Sequence, residues 1–230
     1  MKNGVIHVID QPLVPPFSVL DEAHVLPQWL STLTSAIQKV GLEDWISWYR
    51  EHDEDRKISH HREGKFMGTP SVSLFAPTNE AWRALPEELI IYLFSPFGRR
   101  ALLKLLQFHI VPEYLIYSEW IHEARKNKDI VSSQGVELDF EFPFPTALKG
   151  HKVDVHIIKT TPKVPLPGVA YINIMAQGRR VTSYDLPARN GVIHTLDQVL
   201  DPRSKKEREA TGDKGWEGWK EWFPKWVEEN

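Results

Sequence analysis

The stretch Asn190-Gly191-Val192-Ile193-His194-Thr195-Leu196-Asp197-Gln198-Val199-Leu200 joins a strong turn signal to a run with strand character. Asn-Gly predicts a tight turn because both residues tolerate a positive φ, and we expect Gly191 to need one. The alternation that follows divides the strand's side chains between two faces, Val192, His194 and Leu196 on one and Ile193, Thr195 and Asp197 on the other. We interpret His194 as a structural histidine, and Asp197 as an acceptor of backbone N–H bonds where the strand ends.

The same stretch also opens the chain, as residues 3–13. The two copies align without a gap at an offset of 187 residues (190 minus 3), and eight of the eleven pairs are identical. Such a match at a domain-sized offset indicates an internal repeat. If residues 190–200 close one domain, residues 3–13 closed an earlier one. We therefore expect residues 1–16 to be the end of a preceding repeat plus a linker, in a longer protein.

Composition excludes several classes of protein. The 230 residues include 28 basic and 31 acidic ones and no cysteine. The near balance of charge, with no basic stripe, predicts that nucleic acid is not a partner. Without cysteine there is neither a disulfide framework nor a thiolate nucleophile. No apolar run reaches the roughly 20 residues that span a bilayer.

Hydrophobic periodicity predicts helices first and strands afterwards, which favours an α+β fold over an alternating parallel sheet. The predicted helices begin at about Pro27, Leu42, Thr78 (as N-cap), Pro86, Arg99 and Tyr117. The predicted strands are Val72–Ala76, Ile130–Val131, Val136–Phe140, Val153–Ile158, Tyr171–Met175, Arg180–Ser183 and Val192–Leu196.

Three stretches in a fixed order give the chain a family resemblance. They are Leu74-Phe75-Ala76-Pro77-Thr78-Asn79-Glu80-Ala81-Trp82, Leu105-Leu106-Gln107-Phe108-His109-Ile110-Val111-Pro112, and residues 190–200. With them, residues 17–201 resemble a fasciclin-type domain, in the manner of two-repeat fungal members. The resemblance implies a wedge of short, sandwich-like β-strands with helices packed around it.

The resemblance also implies a function. Fasciclin-type domains act in adhesion and in matrix or cell-surface binding, without catalysis and without a cofactor, in secreted, cell-wall or vacuolar settings. The chain carries no targeting signal that would choose among these. Family members have been linked to partner binding at the second motif, which makes Phe108, His109, Ile110 and Val111 the candidate binding residues. The family often has tyrosine where this chain has Phe108, and a buried structural role for His109 is the alternative.

Residues 47–70 form an insertion relative to the family pattern. Its centre is densely charged, so we expect a solvated loop. It contains residue types that ligate metals, namely His52, Asp53, Asp55, His60, His61 and Glu63. A metal-dependent hydrolase built on them is the competing functional class, although no two-histidine helical motif supports it.

Residues 202–230 form a charged linker followed by a tryptophan-rich tail. Trp216, Trp219, Trp222, Phe223 and Trp226 recur every three or four residues, which predicts a helix from about Gly215 to a break near Phe223 caused by Pro224. The row of indoles either docks on protein or lies in a membrane interface. Seven acids and seven bases between residues 203 and 230 cancel, so we favour docking over membrane contact.

Overall fold

The computed structural model describes residues 8, 10, 15–50, 66–118, 136–160, 171–210 and 215–229. Its α-helices are α1 (Val19–Val25), α2 (Pro27–Val40), α3 (Glu43–Ile46), α4 (Asn79–Arg83), α5 (Glu87–Phe94), α6 (Arg99–Phe108), α7 (Lys205–Ala210) and α8 (Trp219–Glu229). Its strands are β1 (Trp48–Arg50), β2 (Phe66–Gly68), β3 (Val72–Pro77), β4 (Ile110–Pro112), β5 (Val136–Pro145), β6 (Lys152–Thr160), β7 (Tyr171–Ala176), β8 (Arg179–Ala188) and β9 (Gly191–Leu196).

Seven strands form one mixed sheet in the order β4-β3-β9-β8-β7-β6-β5. The β3–β9 pair is parallel, and the other neighbouring pairs are antiparallel. The helices and this sheet share one hydrophobic core. The α+β class predicted from the order of the patterns is confirmed.

Strand β9 is enclosed on both faces. All six of its residues are buried, and it runs between β3 and β8. Its register pairs Val72 with Gly191 and Pro77 with Leu196 across the parallel ladder. Because parallel strands are covered on both sides, even the polar residues of β9 must find their hydrogen-bond partners inside the protein.

The helices begin and end where local chemistry directs. The Thr78 hydroxyl accepts a bond from the backbone N–H of Ala81 at 3.2 Å and caps α4. Helix α2 ends at Gly41, whose φ of 79° places it in the left-handed region that glycine tolerates. Helix α6 begins at Arg99, as its apolar period predicts, and ends at Phe108.

The insertion differs from the solvated loop expected for residues 47–70. The helix predicted from about Leu42 is only the single turn α3, and strands β1 and β2 pair antiparallel beyond it. The rings of Trp48 and Phe66 stack at 4.6 Å and fasten the two strands together. Aromatic pairs across two strands stabilise a hairpin even where the sequence is polar.

Several predicted features lie outside the described residues. These are the strand at Ile130–Val131, all but the first two residues of the helix predicted from about Tyr117, and residues 51–65 with all the proposed metal ligands. Most of residues 3–13 also lie outside them.

The stretch after the sheet is structured and not the plain charged linker that its composition suggested. It includes α7, and both Arg203 and Arg208 are buried. Arg203 donates to both carboxylate oxygens of Asp201, and Arg208 donates to the Gln177 carbonyl at 2.8 Å. Burial of arginine is tolerated when its N–H groups are paired in this way.

The tryptophan-rich tail packs on the domain itself. A short 3₁₀ turn (Gly215–Gly218) leads into α8, and Phe223 is fully buried. The Trp216 indole N–H donates to the Val199 carbonyl at 3.1 Å, and the Lys104 ammonium donates to the Val227 carbonyl at 2.5 Å. The tail therefore extends the core.

The predicted helix break at Pro224 is wrong, because α8 continues through it to Glu229. A proline in a helix removes one donor, here the one that would bond the carbonyl four residues earlier, at Lys220. Lys220 is exposed, so the missing bond lies on the solvent-facing side of the helix. Burial of Phe223, Trp226 and Val227 holds the helix together on its other side.

Candidate functional site

Asn190 is a hub that ties the closing turn to three other parts of the chain, around Val19, around Ile46 and at residues 69–72. Its side-chain carbonyl accepts from the Val19 N–H at 2.9 Å, and its amide donates to the carbonyls of Ile46 (3.3 Å) and Thr69 (2.8 Å). Its own backbone carbonyl accepts from the Val72 N–H at 3.0 Å. An amide side chain with each group bonded and 2% of its surface exposed has a structural role.

Gly191 does not adopt the positive φ that the Asn-Gly signal predicted. The two-residue turn consists of Arg189 and Asn190, since Ala188 already pairs with Gly191. Glycine is required for space instead. A Cβ at this position would lie 2.0 Å from the Val72 carbonyl oxygen and 2.9 Å from Cγ2 of Val19.

His109 is fully buried and uses both ring nitrogens. Nδ1 lies 2.8 Å from the Leu105 carbonyl and therefore carries the proton, while Nε2 accepts the Leu200 N–H at 3.0 Å. Burial lowers the pKa of His109 to about 4, and the bond to Leu105 opposes that shift. The ring is a neutral brace between α6 and the segment after β9.

The rest of the predicted binding stretch is equally enclosed. Phe108, Ile110 and Val111 are each 1% exposed or less. A ligand would reach none of these side chains on the folded surface. The stretch Phe108–Val111 is recognisable in the sequence because these residues form part of the hydrophobic core.

His194 is likewise a buried brace. Its Nε2–H donates to the Ile116 carbonyl at 2.6 Å, its Nδ1 accepts from the Asp185 N–H at 3.4 Å, and its ring stacks on Phe75. Burial lowers its pKa, and the Ile116 bond and the Asp185 charge oppose that shift. Both nitrogens are committed to the backbone.

A serine, a histidine and an aspartate meet here without forming a nucleophilic triad. The Ser118 hydroxyl donates to the Asp185 carboxylate, whose other oxygen accepts the Ser118 N–H at 2.9 Å. Nucleophilic catalysis needs the serine bonded to the histidine and the histidine to the carboxylate. In this order the three groups lock a loop to β8.

The carboxylate that accepts a backbone N–H bond after β9 is that of Asp201 and not that of Asp197. Asp197 is exposed and bonds no backbone N–H in the part of the chain that the structure describes. Asp201 is fully buried and accepts from the backbone N–H of Arg203 and from its guanidinium. Asp197 follows the strand directly, which is why the sequence pointed to it.

The structure adds an acidic cleft that the sequence did not reveal. It has a volume of about 500 Å³ and is lined by Ser18, Leu20, Asp21, Glu43, Asp44, Ser47 and Tyr49. The carboxylates come from the first turns of α1 and α3. Acids at such positions usually indicate helix-dipole stabilisation, so no sequence signal distinguished these.

The residues that the structure describes contain no group of three or more histidine or acidic side chains placed to hold a metal ion. The proposed ligands His52, Asp53, Asp55, His60, His61 and Glu63 lie in residues 51–65, outside them. Of the described helices, none is both long enough and apolar enough to cross a membrane.

Comparison with known proteins identifies the family. The fasciclin domain model matches residues 28–202, most of the chain, so the chain belongs to the fasciclin domain family. Fasciclin domains occur in cell-adhesion and extracellular proteins and are generally non-enzymatic.

Two relatives and one solved structure give the range of similarity. Aurofusarin biosynthesis cluster protein S of Gibberella zeae is 26% identical over 220 residues, 91% of this chain and 48% of the relative, so the chain spans about half of that protein. Protein sll1483 of Synechocystis is 27% identical over 85% of this chain and 79% of its own length. A FAS1 domain pair from the insect cell adhesion molecule Fasciclin I aligns with a TM-score of 0.39 and 14% identity, over 80% of this chain and 45% of that one.

Proposed function

We propose that this chain is a non-enzymatic interaction module that binds a protein or matrix component at the cell surface or outside the cell. One observation carries the proposal: the two histidines of the family motifs are committed to the fold. Both ring nitrogens of His109 and of His194 bond backbone groups. General acid–base catalysis needs such a group free to reach a substrate.

The tail supports the same proposal against membrane attachment. Trp216, Phe223 and Trp226 lie in the core. A helix that binds a bilayer interface presents its apolar face to lipid, and here that face is already covered by the domain.

A preceding fasciclin repeat is the first partner that we propose. Asn3, Gly4 and His7 repeat the residues at 190, 191 and 194. In the described domain, Asn190 bonds three other segments, Gly191 lies against the Val72 carbonyl, and the His194 ring bonds two backbone groups. A segment that keeps all three is suited to close another domain of the same design.

The Gibberella relative suggests a second class of partner. That protein's name places it with a biosynthesis cluster, and it is 26% identical over 91% of this chain. A protein that takes part in biosynthesis is therefore a candidate beside a matrix component.

The test is affinity capture. The immobilised chain is exposed to secreted and cell-surface material from its native source, and retained proteins are identified by mass spectrometry against a matched column of the Gly191→Val variant, which we expect to be poorly folded. We expect specific retention of a matrix protein, a cell-surface protein or a biosynthetic enzyme. A chain that retains nothing specific but hydrolyses ester, peptide or phosphate substrates, with loss of turnover on chelation, would be the metal-dependent hydrolase.

A further inference from the structure

We propose that the acidic cleft binds a cationic side chain, a lysine ammonium or an arginine guanidinium, that a protein partner presents. The cleft concentrates negative charge without a described counter-charge. Asp21, Glu43 and Asp44 line it, and the described lining contains no lysine or arginine. The carboxylates of Glu43 and Asp44 bond no described residue, and that of Asp21 accepts only the Ser18 hydroxyl and has one oxygen left over.

Ser47 gives an independent indication of a ligand. It lines the cleft, is 7% exposed, and its hydroxyl is buried with no hydrogen-bond partner among the described residues. A buried hydroxyl without a partner costs stability, so an unmet one beside a cleft points to a group that binds there. A serine hydroxyl can accept a hydrogen bond, and the ammonium of lysine and the guanidinium of arginine can only donate one, so such a cation fits this site.

The shape of the cleft favours an organic cation over a metal ion. The three carboxylates do not converge as metal ligands do. A volume of about 500 Å³ lies in the range of sites for organic groups. Leu20 offers apolar surface to the stem of a lysine or arginine, and the half-exposed ring of Tyr49 offers a face to its charge.

This inference rests on the proposed function only in assigning the cation to a protein partner. The cleft itself is tested with small probes, so its failure and the failure of affinity capture are separate results. The full chain, labelled with ¹⁵N, is titrated with N-acetyl-arginine amide and N-acetyl-lysine amide while amide chemical shifts are followed. N-acetyl-glutamine amide is the uncharged control probe.

We expect saturable shifts centred on Ser18, Asp44 and Ser47 with the cationic probes and none with the control probe. The double variant Glu43→Gln/Asp44→Asn should weaken binding at least about tenfold, since it removes two of the three charges. Glu80→Gln/Glu87→Gln is the matched control, because it removes two exposed charges from the first turns of α4 and α5. It should leave the affinity unchanged.

Ser47→Ala separates a binding hydroxyl from a structural one. It should weaken binding severalfold without lowering the melting temperature, because the hydroxyl has no partner to lose in the free protein. Equal affinity in this variant, equal affinity in Glu43→Gln/Asp44→Asn, or no saturable shift at all would overturn the proposal.

The chain's own basic residues provide a last control. Residues 51–65 include Arg56, Lys57, Arg62 and Lys65. Replacing 51–65 by a short Gly/Ser linker should leave the affinity for the arginine probe unchanged. A rise of tenfold or more would show that this segment fills the cleft, and the partner's role would be excluded.

Discussion

Single residues of the closing turn carry more of this fold than their size suggests. Asn190 joins the closing turn to three separate segments through one side chain and one carbonyl. The sequence identified the turn but not the reason for it. The Asn-Gly pair indicates only that a turn is favourable. Burial of the Asn190 side chain and the contact of Gly191 with β3 depend on neighbours more than a hundred residues away.

Gly191→Val should strongly destabilise the protein. The added Cβ would meet the Val72 carbonyl oxygen at 2.0 Å, and a rigid backbone atom cannot move aside as a side chain end does. We expect a loss of at least about 2 kcal/mol in the free energy of unfolding, measured by urea denaturation. Gly218→Ala is the control, since nothing lies within 4 Å of its Cβ position. A similar small loss in both variants would show that β9 and β3 separate easily.

Buried neutral histidines should make stability depend on pH. The pKa of His109 is about 4 in the folded chain and about 6.5 when unfolded, so between these values the unfolded chain binds the extra proton. The free energy of unfolding should therefore be greatest above about pH 6.5 and fall as the pH drops toward 4, by roughly 3 kcal/mol from this residue. The lowered pKa of His194 acts in the same direction.

Urea denaturation at pH 7.5 and pH 5 measures this dependence. His109→Gln keeps a donor and an acceptor but removes the titration, and the difference between the two pH values should shrink in this variant. A wild-type protein that is as stable at pH 5 as at pH 7.5 would contradict a buried neutral His109.

At the scale of elements, hydrophobic periodicity predicted the helices and strands whose formation depends on burying one apolar face. The leucines of α6 predict this helix. In the region of short strands, every predicted strand between residues 136 and 196 is present in the structure. Helix α1 was missed because seven residues give little periodicity, and it depends on the Ser18 cap and the bond from Val19 to Asn190. Buried Arg203 and Arg208 were missed because charge predicts exposure unless the partners are known.

The tail should contribute to stability as a core element does. Phe223→Ala removes a fully buried ring and should cost about 3 to 5 kcal/mol, measured by thermal or urea denaturation. Lys225→Ala, exposed on the same helix, should change little. Vesicle binding by the wild type that disappears in Trp219→Ala/Trp222→Ala without a change in melting temperature would contradict docking and favour a membrane role.

The centre of the insertion should be dispensable. Replacing residues 51–65 with a short Gly/Ser linker should leave the melting temperature within a few degrees, because the entropy of closing a chain segment changes only slightly with its length. Trp48 and Phe66 would still hold the two strands together. Circular dichroism through a thermal ramp measures this. Failure to fold would place part of the segment in the core.

At the scale of the whole molecule, the sequence and the structure agree on the class of protein. The order of three motifs was enough to recognise a fasciclin domain, and the family model matches residues 28–202. The candidate binding site was not predictable in the same way. The motif at 108–111 is prominent because it is buried, while the acidic cleft is assembled from the first turns of α1 and α3 and the start of β1, which no single pattern connects.

Binding of the labelled chain to intact cells of its native source tests the central claim most directly. An interaction module predicts saturable binding that an excess of unlabelled chain displaces and that the Gly191→Val variant does not compete for. Binding that rises linearly with concentration, is not displaced, and is the same for the variant would contradict a specific surface partner.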